Sequence, residues 1–421
     1  MSKLNVGADL YLKGRIGWKG LSKEEYLVTG EYKIINATAL MDGYVNWSNC
    51  GFITKERYDE SVEIMLKEND ILISKDGTLG KIGYVKNLTY PTTVASGVFV
   101  LRNTIQGRLN FDYLYHVLKS SIFKDFIYRN KAQGSTINHL YQRDLSNFEL
   151  ELPSLEKQNK IANILNLIDS KIEANTKINQ ELETLAKTIY DYWFVQFDFP
   201  NEKGKPYKTS GGAMVYNDDL KREIPKDWQV DVISNIIEVR DGTHDSPKYV
   251  EKGYPLITSK HLLESGLDFA SANLISEEDY ISINKRSVVE TGDILYSMIG
   301  TIGVIYRVEE KTIDFAIKNV ALFKTSKLDC YRSYIYLYLK SNIMKKHLQE
   351  EMAGSIQKYI GLGSLRNIPF LYDEGIINKF NSITKTLFYK INQNKLENQE
   401  LASLRDWLLP MLMNGQVTFK E

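Results

Sequence analysis

Residues 154–197 contain neither Gly nor Pro, and their apolar positions follow a strict rhythm. Ile161, Leu165, Ile168, Ile172, Asn175, Asn179, Leu182, Ala186, Ile189 and Trp193 succeed one another at alternating steps of four and three. That spacing is the seam of a coiled coil rather than a general amphipathic face. Pro153 ends what precedes, Ser154 can cap the first turn, and Lys157 and Gln158 open it. Some 40 residues at 1.5 Å each predict a helix of roughly 60 Å. A second such stretch begins near Glu374 and is predicted to end around Leu409, before Pro410. Its seam, in the same phase, is Phe380, Leu387, Ile391, Asn394, Asn398, Leu401 and Leu408.

Two matched seams in one chain are most simply buried against each other. Both are apolar except at their middles, and an Asn in a seam costs stability unless it meets another polar group. A pseudo-twofold arrangement makes the helices antiparallel, brings Asn175 to Asn398 and Asn179 to Asn394, and sends the domains they carry to opposite ends. Parallel pairing would bring Asn175 to Asn394 instead. If the asparagines lie at the solvated edge of the seam, neither pairing is required.

Outside the helices the pattern is mixed. Short β-like runs at 33–35, 71–74 and 98–102, Gly-containing turns and a helix-like stretch at 111–130 make residues 1–152 one mixed domain. The first long helix occupies 153–198. A linker at 199–216 is punctuated by Pro200, Gly204, Pro206, Gly211 and Gly212. Residues 217–372, with strand-like runs at 256–258, 293–297 and 320–324, form the second mixed domain. The second helix and tail fill 373–421.

The two halves say nearly the same thing. DILISKDGTLGKIG at 70–83 returns as DILYSMIGTIGVI at 293–305, and YLYHVLKS at 113–120 as YIYLYLKS at 334–341. Gly134-Ser135 returns as Gly354-Ser355, and NQELETL at 179–185 as NQELASL at 398–404. Four collinear matches mark a tandem duplication of a unit of roughly 200 residues, far longer than a solenoid repeat. The fold class is therefore mixed α/β: two tandem α/β domains and two long antiparallel helices in an internal repeat.

Composition narrows the chemistry. The 53 basic and 53 acidic residues balance to zero net charge, which suits a nucleic-acid binder only if its basic groups are clustered or its partners supply phosphate contacts. The N-terminal MSKLNVGADLYLKG lacks the apolar core of a signal peptide, and no run approaches the ~20 apolar residues of a membrane span. Cys50 and Cys330 have no zinc or disulfide spacing, so a reducing cytoplasmic setting and no membrane are expected. The five histidines show no metal-ligand spacing. No phosphate-binding G-x-x-x-x-G-K-S/T loop occurs, since Gly80-Lys81 is followed by Ile82. None of the nine prolines adjoins another, which removes the Asn/Asp-Pro-Pro-aromatic loop of amino-methylating DNA methyltransferases. No Gly-x-Ser-x-Gly elbow is present. No catalytic residue and no metal site are expected in this chain.

Candidate contacts lie in the loops. The Gly turns after residues 74 and 297 read either as strand-to-strand turns or as ligand-touching loops, with Thr78 and Thr301 as donors. Their framework repeats while Lys75-Asp76 becomes Met298-Ile299, one scaffold with different tips. QGSTINHLYQRD at 133–144 offers Gln133, Ser135, Thr136, Asn138 and His139 to base edges. AGSIQKYIGLGSLRN at 353–367 offers Ser355, Gln357 and Lys358 in its place. KGRIGWKG supplies Arg15, Trp18 and Lys19, and RDGTHDSPKY supplies Arg240, Asp241 and His244. Asn36, Thr38, Ser259, Lys260, Lys318 and Asn319 complete the DNA-contact candidates. As solvated loops these stretches would need no explanation. The tyrosine-rich helices at 113–120 and 334–341 read as core rather than base-stacking platforms.

This layout resembles the specificity (S) subunit of type I restriction–modification systems across essentially the whole chain. The resemblance is carried by the duplicated D-I-L-x-S…G-T-x-G turn, the GS loop before each long helix, and IPKDW opening the second domain. NLIDSKIEANTKINQELETL and LENQELASLRDWLLPMLMNGQV complete it. The first domain departs from the pattern, with KGRIGWKG where an I-P-x-x-W opening belongs, which leaves its contact residues less defined. The resemblance implies two target recognition domains on antiparallel spacer helices, each reading one half of a split, asymmetric site in double-stranded DNA through the major groove. Two modification (M) subunits would dock along the helices, bind S-adenosylmethionine and methylate adenine. Restriction (R) subunits, using ATP and Mg, would add nuclease and translocase activity, and this chain would hold no cofactor. Two alternatives are the S-like part of a combined restriction–methylation enzyme and a coiled-coil adaptor that binds no DNA.

Overall fold

The heptad residues build two long helices, Leu155–Tyr190 and Glu374–Met413. The computed structural model describes residues 2–16, 20–41, 43–105, 107–130, 139–263, 266–352, 359–414 and 416–417. Each helix opens on a side-chain cap: Lys157 N donates to Ser154 Oγ at 3.3 Å and Ile376 N to Asp373 Oδ1 at 2.8 Å. The first helix closes in a π turn, Asp191–Val195, and Phe197 leaves it at a φ of 65°. Pro410 does not end the second helix. Leu409 and Leu412 are buried in the core beneath it, and that packing holds the last turn through the proline.

The chain divides into two compact units, Met1–Asn175 with Leu396–Glu421, and Thr176–Lys395. In the first, a five-stranded sheet runs in the order Leu10–Gly14, Val98–Asn103, Ile71–Ser74, Ile82–Tyr84, Gly43–Tyr44. A second sheet orders Gly51–Ile53, Tyr32–Ile35 and Thr92–Val94, the last two parallel. Ser2–Asn5 pairs with Glu149–Leu152 and ties the beginning of the mixed domain to its end. The predicted helix at 111–130 is two, Phe111–Lys119 and Ser121–Asn130, because Ser120 turns extended and bonds back to Val117 O through both its amide and its hydroxyl.

The second unit repeats this plan. Val239–Asp241, Val320–Phe323, Ile294–Ser297 and Ile305–Arg307 form one sheet in that order. The other sheet contains the parallel pair Tyr254–Thr258 and Ala316–Lys318, and Gln229–Val232 pairs with Pro369–Tyr372. The tyrosines of Phe111–Lys119 and Asp329–Lys340 are core, as their apolar neighbours require.

Each central sheet carries a buried ion pair under its hairpin. Asp70 is fully buried and takes Arg102 Nε at 2.7 Å and Lys67 N at 2.8 Å. Asp293, equally buried, takes Lys324 Nζ at 2.6 Å and Glu290 N at 2.8 Å. Removing Arg102 or Lys324 would strand a fully buried carboxylate, at a cost of about 3–5 kcal/mol.

The long helices meet antiparallel within each unit. In the first, Asn175 Nδ2 donates to Asn398 Oδ1 at 2.9 Å and Arg405 reaches Asp169 at 2.7 Å. In the second, Asn394 Nδ2 donates to Asn179 Oδ1 at 2.9 Å, and Asn179 Nδ2 donates to Ile391 O at 3.3 Å. Asn175, Asn179 and Asn394 are buried, not at a solvated edge.

The sheets rest on the helices through different chemistry. In the first unit Tyr84 bonds Asp112 at 2.6 Å, Asn166 bonds Asp112 at 3.0 Å and His116 at 2.8 Å, and Asp169 meets Lys119 at 3.3 Å. Burial holds His116 below its usual pKa, while Lys119 and Arg405 outweigh burial at Asp169 and keep its carboxyl low. In the second unit the guanidinium of Arg307 lies 3.8 Å from the ring centroid of Phe388 and 5.3 Å from that of Tyr336. Burial there, with Arg332 beside it, pushes Arg307 down to about 10.

The seam pair of the second unit can be tested by a double-mutant cycle. Asn394→Leu deprives the buried Asn179 Oδ1 of its donor and is expected to cost about 1–3 kcal/mol in urea unfolding. Asn179→Leu with Asn394→Leu is expected to cost less than the two single changes together. Strict additivity would mean that the two side chains do not interact.

Candidate nucleic-acid interface

The duplicated Gly turn is a hairpin tip laced by its serine. Ser74 Oγ donates to Thr78 O at 2.6 Å and accepts from Lys81 N at 2.8 Å. Ser297 Oγ repeats both bonds, to Thr301 O at 2.6 Å and from Val304 N at 2.8 Å. Gly77 and Gly80 take φ of 70° and 73°, and Gly300 and Gly303 take 75° and 88°, values in which a side chain is strained. The framework repeated in the sequence is thus the wiring of a turn. It leaves Thr78 and Thr301 exposed at the tip.

The segment that follows the tyrosine helices comes back onto this tip. Leu140 N donates to Lys75 O at 2.9 Å, and Ile360 N donates to Met298 O at 3.0 Å. In the first unit Asp76 pairs with His139, whose ring stands edge-on to Tyr141 at 4.7 Å between centroids. Lys75 N donates to Gly97 O at 2.9 Å, and its ammonium lies 5.1 Å from the ring centroid of Phe99. Asn36 caps the short turn Ala37–Ala39, accepting from Thr38 N at 3.0 Å, and Thr38 is exposed.

In the second unit Ser259 Oγ donates to Asn319 O at 2.9 Å and accepts from Met298 N at 3.3 Å, joining tip and neighbouring loops. Asn319, at a φ of 51°, places Oδ1 2.7 Å from His244 Nδ1. His244 Nε2 is 2.8 Å from Asp241, which also pairs with Arg286. Lys318 Nζ donates to Ser246 Oγ at 2.7 Å, and Lys260 is exposed. Gly242 has no room for a side chain, since a Cβ would stand 2.3 Å from Ile317 O.

Several expectations change on this geometry. Arg15 is not a phosphate contact: it is 2% exposed and bonds Val94 O at 3.0 Å and Ser61 Oγ at 3.2 Å inside the first unit. Burial first, then the nearby Arg57, lowers its pKa, as for an internal strut. Asp241, Ser259 and Met298 are buried, so they position neighbours instead of presenting side chains to a ligand. Asn36 spends its carbonyl oxygen on its own turn. Trp18, Lys19, Gln133, Ser135, Thr136, Asn138, Ser355, Gln357 and Lys358 lie outside the described residues. Brought together are Lys75, Asp76 and His139 in the first unit, and His244, Asn319, Ser259 and Met298 in the second, with Arg240 beside Asp241.

Sequence reasoning passed over Tyr359, which bridges to Ile299 at the second tip and is half exposed. It holds the place that His139 holds beside Asp76, one residue before the tip-bonded Leu140 or Ile360. Counting back from those two would have found it. Among the described residues no three His, Cys, Asp or Glu side chains group as metal ligands. Nor is any described helix long and apolar enough to cross a membrane.

The type I restriction modification DNA specificity domain matches the chain twice, over residues 17–184 and 225–405. The chain is 29% identical over 389 residues to the type I restriction enzyme MjaIX specificity subunit of Methanocaldococcus jannaschii, covering 89% of this chain and 85% of that protein. It is 24% identical over 324 residues to the EcoBI specificity subunit of Escherichia coli, covering 74% and 67%. The crystal structure of a type I restriction-modification S subunit from M. genitalium shares the fold. It gives a TM-score of 0.54 at 20% identity, over 98% of this chain and 95% of that one.

The serine lacing carries an expectation. Ser74→Ala or Ser297→Ala leaves a turn carbonyl and an amide without their partner and is expected to cost about 1–3 kcal/mol. Amide hydrogen exchange at Lys81 or Val304 should accelerate accordingly. Unchanged protection would show that the turn holds its shape without the hydroxyl.

Proposed function

The chain belongs to the type I restriction–modification DNA specificity family, and from that premise we propose that it reads a bipartite, asymmetric site in double-stranded DNA. One half-site falls to each tip cluster. The observation that carries this reading is the identical wiring of two tips whose outward residues differ, Lys75, Asp76 and His139 against Ile299 and Tyr359. A common scaffold sets the approach to the groove, and divergent side chains set the base contacts.

Two modification subunits dock along the long helices, and restriction subunits join through them. Supporting this, both helices keep large apolar side chains in solvent: Leu167, Leu404 and Trp407 in the first unit, Leu185, Ile383 and Tyr389 in the second. S-adenosylmethionine binding and adenine methylation fall to the modification subunits, and ATP and Mg chemistry to the restriction subunits. This chain contributes recognition.

Exchanging residues 1–152 for the equivalent domain of another family member, followed by methylome sequencing of the host, is expected to change one half of the methylated site and leave the other intact. A change in both halves, or in neither, would sink the modular reading. Lys75→Ala and Lys260→Ala are each expected to weaken duplex binding across sequences and lower the salt slope by about one, measured with the modification subunit present. A chain that shows no affinity for duplex DNA with that subunit is an adaptor.

A further inference from the structure

A cavity of about 340 Å³ in the second unit is lined by Glu238, Arg240, Asp241, Lys285, Arg286 and Arg366. Three elements converge on it: the strand Val239–Asp241, the end of the helix Glu277–Ser287, and the short helix Leu362–Arg366. Both carboxylates are already engaged. Glu238 pairs with Arg240 and, at 3.0 Å, with Lys327, while Asp241 pairs with Arg286 and His244. Arg366 gives its Nε to Val239 O at 3.0 Å, which leaves the outer nitrogens of its fork for another acceptor. Neither Lys285 nor Arg366 has a carboxylate partner among the described residues. Four cations around two spent carboxylates leave a surplus of positive charge in a concave, polar site.

We infer that this cavity holds a backbone phosphate of the bound DNA, an inference that rests on the recognition function proposed above. Its link to recognition is Asp241, one buried carboxylate shared between Arg286 at the cavity and His244 in the loop beside the tip. Phosphate held by Arg286, Lys285 and Arg366 would fix that carboxylate and, through it, the imidazole bonded to Asn319. Among the described residues the first unit has no counterpart. Gly14 holds the register place of Asp241, opposite Phe99 as Asp241 is opposite Ala321, and it has no side chain to make the link. Lys285 and Arg366 are therefore phosphate-positioning residues for one half-site only.

The test measures duplex binding by the chain with its modification subunits across a salt series. Lys285→Ala with Arg366→Ala is expected to lower the salt slope by about two on target and non-target duplexes alike. Footprint protection should weaken beside one half-site. Lys285→Arg with Arg366→Lys should restore the slope, and Lys311→Ala, on an exposed turn, should leave it unchanged. An unchanged slope in the double alanine variant would overturn the inference. So would binding of inorganic phosphate that needs these two residues while the DNA slope stays constant, which would make the cavity a small-anion site. If the unaltered complex prefers no sequence, the recognition proposal itself fails, and that outcome is seen before any variant is made.

Discussion

A buried side-chain amide needs partners at fixed positions, and it finds them in this protein only when two helices meet in one register. Asn394 Nδ2 donates to Asn179 Oδ1 at 2.9 Å, and Asn179 Nδ2 in turn reaches Ile391 O. Asn175 and Asn398 do the same in the other unit. Sliding either pair by one heptad, about 10 Å, would set an amide against leucine or isoleucine and leave its donors unmet. Apolar seam residues tolerate several alignments, because burial is non-directional. The asparagines therefore set register and direction, and the leucines and isoleucines contribute the burial. Each mixed domain is fastened to a length of these helices, so its placement within its unit inherits their register.

On that footing each unit separates what must stay constant from what varies. Beneath the hairpin, Asp70 with Arg102 and Asp293 with Lys324 satisfy a buried carboxylate in two ways while keeping the same strand order. Above it, the serine lacing and the paired glycines hold the turn whatever residues follow the serine. The outward positions then carry Lys75, Asp76 and His139 in one unit and Ile299 and Tyr359 in the other. Met298, which replaces Lys75, turns inward. The two tips thus differ in charge and in how much of the tip side chain reaches solvent.

The features that were legible in the sequence share a cause. Heptad spacing, the repeated turn and the tyrosine helices are local patterns, set by the period of the backbone and the special φ of glycine. Direction of pairing could be read because Asn in an apolar seam has few acceptable partners. What could not be read depends on contacts distant in sequence. Arg15 sits in a basic, Gly-rich loop that looks like a phosphate contact, and only the approach of residues 61 and 94 makes it internal. Pro410 marks a helix end by local rules, yet burial of Leu409 and Leu412 carries the helix past it. The cationic cavity draws on residues more than a hundred positions apart, and no spacing announces it. Asp241 and His244 were found together because they are neighbours in sequence. Their distinct roles, one buried and one exposed, emerge only with Arg286 and Asn319 in place.

The mounts beneath the two sheets differ in chemistry. Asp169 and Phe388 hold the same place in their helices, ten residues before the shared NQEL, and Tyr84 and Arg307 the same place in their strands, fourteen after the shared aspartate. In one unit the helix offers a carboxylate to a ring of hydrogen-bonding groups; in the other it offers an aromatic face to a guanidinium. The two mounts thus differ in polarity: hydrogen bonds and charges around Asp112 and Asp169 in one, a guanidinium on aromatic rings in the other. A domain from the first unit placed on the second would set Tyr84 against Phe388, leaving Asp112 and His116 without the asparagine that satisfies them. An exchange of the two mixed domains within this chain would therefore have to carry the mount with it.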